Sequence, residues 1–76
     1  MSARESATHL LASALLISER DVPAEARLGG VDQWDSLAHA RLLLALEEKL
    51  GRMLTTDEAV AIESIADIAQ LLELKR

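Results

Sequence analysis

The sequence contains no cysteine, phenylalanine or tyrosine, and only one tryptophan and one proline in 76 residues. Without cysteine there is neither a disulfide framework nor a thiolate nucleophile. The near-absence of aromatic residues counts against a β-rich fold, because strands favour β-branched and aromatic side chains. No apolar run approaches the roughly 18–20 residues needed to cross a bilayer. The first residues, Met1-Ser2-Ala3-Arg4-Glu5, lack the apolar stretch of a secretory signal, so a cytoplasmic protein without membrane attachment is expected. Basic residues are also few. Eight Lys and Arg stand against thirteen Asp and Glu, a net charge of −5. That balance argues against a nucleic-acid backbone as partner and suits proteins with basic docking sites.

Half of the residues are apolar, nearly all of them Leu, Ala, Ile and Val. Leu and Ala favour helix, so an all-α domain is expected. Residues 1–76 make one domain, close to the lower limit for a single unstapled core. Ser2 and Glu5 have capping-box spacing and open a first helix over about Ala3 to Ile17, with Ala7, Leu10, Leu11, Ala14 and Leu15 on its apolar face. Pro23 and Gly29-Gly30 mark a long polar connection from about Ser18 to Asp35, with a helical turn possible over Ala24 to Arg27. Leu28 and Val31 are the residues expected to pin it to the core, with Trp34 clamping its end.

A second helix is predicted from Asp35 or Ser36 to Leu50, stopped by Gly51. Its Leu42, Leu43, Leu46 and Leu50 face the core, while Leu37, Ala40, Arg41 and Leu44 form a more exposed stripe. Thr55 and Glu58 repeat the capping-box spacing before a short third helix. A fourth follows Ser64 with Ile65, Ile68, Ala69 and Leu72 on one face. The whole reads as a small four-helix bundle with a long first loop and a short third helix.

The segment Trp34-Asp35-Ser36-Leu37 holds the candidate site. A serine in the first turn of a helix presents its hydroxyl where backbone N–H groups and the helix dipole favour an anion. A carboxylate one residue earlier can help to hold a divalent cation beside phosphates. From local sequence alone, Ser36 reads first as a helix N-cap. His39, one turn on, is expected to be a solvated surface histidine or to touch a phosphate on Ser36. His9 has no spacing that suggests a metal site, and no metal ligands are expected.

Asp35-Ser36-Leu37, followed by Leu42-Leu43-Leu44-Ala45-Leu46-Glu47-Glu48-Lys49-Leu50-Gly51, resembles the carrier-protein family of acyl, peptidyl and aminoacyl carriers. The likeness continues through Thr56-Asp57-Glu58-Ala59 and Ile65-Ala66-Asp67-Ile68, spanning essentially the whole chain. The resemblance implies an acyl-carrier-type bundle and a free-standing, non-enzymatic carrier. A 4'-phosphopantetheine arm on Ser36 would bear acyl or aminoacyl groups as thioesters, and the cofactor would supply the thiol that the chain lacks. Asp35 would support the modification, with Leu37, Ala40, Arg41, Leu44, Glu47 and Glu48 forming the partner surface. A phosphopantetheinyl transferase, an acyl- or aminoacyl-activating ligase and downstream transferases would be the partners of a monomer.

Fatty-acid-synthesis carriers usually place acidic residues where this chain has Ala38 and Arg41, and a small residue where it has Trp34. These departures point to a specialised biosynthetic pathway, with an aminoacyl or peptidyl carrier and its own ligase as the alternative. A helical docking module that is never modified is the competing class. A hydrolase built on Ser36 would need a base and an oxyanion hole that one histidine a turn away does not supply.

Overall fold

A computed structural model describes residues 2–73. The described residues form four α-helices: α1 (Ala3–Leu15), α2 (Ser36–Leu50), α3 (Thr56–Ala61) and α4 (Ile65–Glu73). A short 3-10 turn (Glu19–Asp21) follows α1. There is no strand among the described residues, only an isolated bridge between Arg27 and Ser64. None of these helices is long and apolar enough to cross a membrane.

Each helix begins where a polar side chain can take up a free backbone donor. The Ser2–Glu5 and Thr55–Glu58 pairs both form reciprocal capping boxes. Ser64 Oγ accepts from the Asp67 N–H at the start of α4. Gly51 ends α2 in the left-handed conformation that favours glycine, with φ at 74°. The first helix stops two residues short of its expected end. Leu16 adopts φ 62°, and Ile17 turns back to donate to the Ala12 carbonyl. Apolar periodicity carries past that point because Ile17 still packs against the core after the helix has ended.

The core lies where α1 meets both α2 and α4. Ala7, Leu11, Ala14 and Leu15 of α1 are buried with Ala38, Leu42, Leu46 and Leu50 of α2. Ile65, Ile68, Ala69 and Leu71 enter from α4. Burying a Leu or Ile side chain fully is worth roughly 1.5–3 kcal/mol, so this leucine-rich seam is the main source of stability. Leu43 and Leu72 are only partly buried at its margin.

The long connection is held differently from the sequence expectation. Leu28 is 40% exposed, and the buried anchors are Ala26 and Trp34, with Val31 packed beside them. No helix forms over residues 24–27, where the chain makes a turn closed by Ala26 N–H to the Pro23 carbonyl. Leu28 N–H also donates to the Glu63 carbonyl, tying the loop to the α3–α4 connection. Gly29, at φ 82°, permits the tight reversal that leads to Trp34. The chain therefore enters α2 from a fixed point.

Candidate functional site

Ser36 is the first residue of α2 and is exposed. The capping role belongs to Asp35, whose Oδ1 accepts from Ala38 N–H at 2.9 Å. Its carbonyl accepts from His39 N–H at 2.8 Å. The serine hydroxyl is thus not needed to close the helix. The N–H groups of Ser36 and Leu37 have no acceptor among the described residues. An exposed hydroxyl beside two unpaired donors, at the positive end of a helix, is a fitting seat for a phosphodiester.

Trp34 is completely buried although it lies two residues before the exposed serine. Its indole Nε1–H donates to His39 Nδ1 at 3.0 Å. The two rings are tilted by 31° with centroids 6.1 Å apart. Nδ1 accepts, so Nε2 carries the proton. Burial holds the His39 pKa below its ordinary value, and the Ala59 carbonyl partly opposes that shift. His39 is therefore neither a solvated residue nor pointed at Ser36. It joins the loop to α2.

The expected partner surface divides into two groups. Leu37, Ala40, Leu44 and Glu48 are exposed along α2, with Leu37 and Leu44 each about two-thirds exposed. The other two residues have structural partners. Arg41 is half-buried and its Nε donates to the Ala14 carbonyl at 2.9 Å. Glu47 is half-buried, and its Oε2 accepts from Leu54 N–H in the connection to α3. Met53 and Val60 add exposed apolar side chains in that connection and on α3.

His39 is the residue whose surroundings sequence reasoning misread: it accepts from the buried Trp34. A buried tryptophan needs an acceptor for its N–H, which directs attention to polar side chains within about a turn. That rule alone does not choose among Asp35, Ser36 and His39. No group of three or more His, Asp or Glu side chains among the described residues is placed to hold a metal ion. Comparison with known protein families and with characterised proteins gives no match.

Proposed function

We propose that this chain is a carrier protein with an acyl-carrier-type bundle, bearing a 4'-phosphopantetheine arm on Ser36 and passing acyl or aminoacyl groups between enzymes. The observation that carries this reading is the exposed Ser36 hydroxyl at the first position of α2, beside two unpaired N–H groups and free of any capping duty. The sequence resemblance through Asp35-Ser36-Leu37 and the Glu47-Glu48 end of α2 supports it.

In this reading the Ser36 hydroxyl attacks the pyrophosphate of coenzyme A in the active site of a separate transferase. The Oγ–P bond forms as the pyrophosphate bond breaks. Adenosine bisphosphate leaves, and the hydroxyl proton passes to a base of the transferase. When bound, the arm supplies the thiol that holds cargo as a thioester. The chain's own residues provide position. The first turn of α2 stabilises the phosphodiester through its N–H groups, and the Asp35 carboxylate lies one residue away to help hold a divalent cation during transfer. The exposed Leu37, Ala40, Leu44 and Glu48 offer the transferase and later enzymes a mixed apolar and acidic face. Tethering makes each later reaction effectively intramolecular, so the chain needs no catalytic group of its own.

A docking module that is never modified is the second reading, favoured by the same exposed Leu37 and Leu44. Intact mass after incubation with coenzyme A, Mg²⁺ and a broad-specificity phosphopantetheinyl transferase separates the two. The carrier reading expects one added phosphopantetheine on the wild type and none on Ser36→Ala. Absence of the adduct from folded wild type, repeated with a transferase from the same source, would leave the docking module standing. Loading with fatty-acyl and amino-acid-activating ligases then distinguishes acyl from aminoacyl cargo.

A further inference from the structure

Within the opening turn of α2, Ser36 and Leu37 are exposed and only Ala38 is buried. Helix ends fray, and Ser36 holds the outermost helical position. Counting from the Asp35 cap, Trp34 is the residue just outside the helix and His39 the fourth residue inside it. In many helices these two positions carry apolar side chains, whose contact fixes the angle at which the chain enters. Here the contact is a hydrogen bond instead, from Trp34 Nε1–H to His39 Nδ1 at 3.0 Å, and it spans Ser36. An apolar contact can slide, whereas a hydrogen bond weakens steeply once it is bent or stretched.

Trp34 is fixed from the loop side as well. Its N–H donates to the Val31 carbonyl at 2.9 Å, and its carbonyl accepts from Gly29 N–H at 3.3 Å. Both of its backbone groups are therefore held by the loop, its ring is wholly buried, and its indole N–H reaches into α2. Burial keeps the His39 pKa below its ordinary value, so the ring is neutral near pH 7.5 and offers Nδ1 as an acceptor.

We propose that Trp34 and His39 form a hydrogen-bonded staple that holds the opening turn of α2 against the loop, and that both are thereby positioning residues for the modification of Ser36. The staple keeps the Ser36 hydroxyl and the neighbouring N–H groups in one arrangement for a modifying enzyme to take up. Trp34, being wholly buried, cannot touch an enzyme bound at Ser36, so any effect it has on modification passes through the turn. The bearing on modification rests on the carrier reading; the staple itself does not.

The chain has a single tryptophan, so one indole N–H resonance reports the bond. His39→Leu removes the acceptor, and His39→Asn puts an oxygen close to the place of Nδ1. In NMR spectra at about pH 7.5, the indole proton should move upfield in His39→Leu and return in His39→Asn. The Ala38 N–H, bonded to the Asp35 carboxylate, reports opening of the turn. Its hydrogen exchange should be about fivefold faster in His39→Leu, the factor that matches the net worth of one hydrogen bond. In His39→Asn it should stay near wild type. Arg41→Ala, which breaks the contact with α1 further along α2, should leave Ala38 exchange unchanged. An indole proton unmoved in His39→Leu overturns the staple. So does Ala38 exchange that is unaltered there, or equally accelerated in Arg41→Ala.

Transferase-catalysed modification of Ser36 forms the second arm. A turn that is no longer held lowers the fraction of chains that bind productively, which raises KM and spares kcat. KM should rise about threefold or more in His39→Leu and in Trp34→Phe, with kcat within about twofold of wild type. His39→Asn should restore KM, and the double variant should lose no more than either single one, because each removes the same bond. Should Trp34→Phe fail to fold, the two His39 variants decide. An unchanged KM in His39→Leu, or a fall in kcat in place of the rise in KM, overturns the positioning role. If wild type is not modified by any transferase, the carrier reading and the positioning role fall together, and the indole and exchange measurements still decide the staple.

Discussion

The Arg41 guanidinium donates through Nε to the Ala14 carbonyl at 2.9 Å, joining α2 to the last turn of α1. No basic residue of α1 itself lies in that turn, so Arg41 supplies from a neighbouring helix the positive charge that the negative end of the dipole favours. Its Nε–H is thereby committed to the fold. Arg41→Ala should cost about 1–2 kcal/mol, the worth of a charge-assisted hydrogen bond, and lower Tm by several degrees. Arg41→Lys should recover part of this, since it keeps the charge and loses the fork. Thermal denaturation checks both. At a temperature where each variant is folded, the rate of Ser36 modification should stay near that of wild type.

Leu44 is expected to behave in the opposite way. It is about two-thirds exposed on α2, so Leu44→Ala should change stability by less than about 0.5 kcal/mol. If α2 is the docking face, the same variant should slow modification of Ser36 about fivefold or more, the effect of losing roughly 1 kcal/mol at an interface. Steady-state kinetics with the transferase as catalyst reads this, and an unchanged rate would remove Leu44 from the docking surface.

Asp35 has two separable duties. Its carboxylate caps Ala38 N–H, and in the carrier reading it also supports a divalent cation during transfer. Asp35→Ala should cost about 1 kcal/mol through loss of the cap, whereas Asp35→Asn should be nearly neutral, because Asn caps equally well. Modification should be slowed in both if the charge serves the transfer. A normal rate in Asp35→Asn would confine the residue to capping.

Helix existence and type were legible in the sequence because capping signals and apolar periodicity agree there, at Ser2–Glu5, Asp35, Gly51 and Thr55–Glu58. The exposed Ser36 and the Leu37–Leu44 stripe followed from helical spacing alone. What was not legible depends on contacts distant in sequence or on backbone conformation. Arg41 looks like a surface charge until α1 is placed against α2. His39 looks solvated until Trp34 turns inward and donates its indole N–H to it. Leu28 has the hydrophobicity of an anchor, but the hydrogen bond from its N–H to Glu63 fixes the loop and leaves the side chain half outside.

The end of α1 illustrates the same limit and gives a stability test. Leu16 adopts the left-handed conformation usually taken by glycine, and its side chain is 76% exposed. An L-residue there costs roughly 1–2 kcal/mol, and little packing offsets it. Leu16→Gly should stabilise the domain by about 0.5–1 kcal/mol after the greater freedom of unfolded glycine is subtracted. Chemical denaturation should show a raised midpoint with an unchanged slope.

Glu58 ties the start of α3 together from two directions. It takes both Arg52 guanidinium nitrogens at 2.8 Å and receives the Thr55 N–H of its capping box. The Arg52 contact, reinforced by the Thr55 backbone, holds its pKa down to about 2 from an ordinary value of 4.5. A carboxylate with a lowered native pKa binds protons more readily when unfolded, so its contribution is complete above 4.5 and is lost as pH falls from there through about 2. Arg52→Ala should raise the Glu58 pKa toward its ordinary value and weaken the dependence of stability on pH between 4.5 and 2. A ¹³C titration of the side-chain carboxyl follows the first effect and acid denaturation the second. A Glu58 titration unaltered in Arg52→Ala would assign the lowered pKa to the capping box instead.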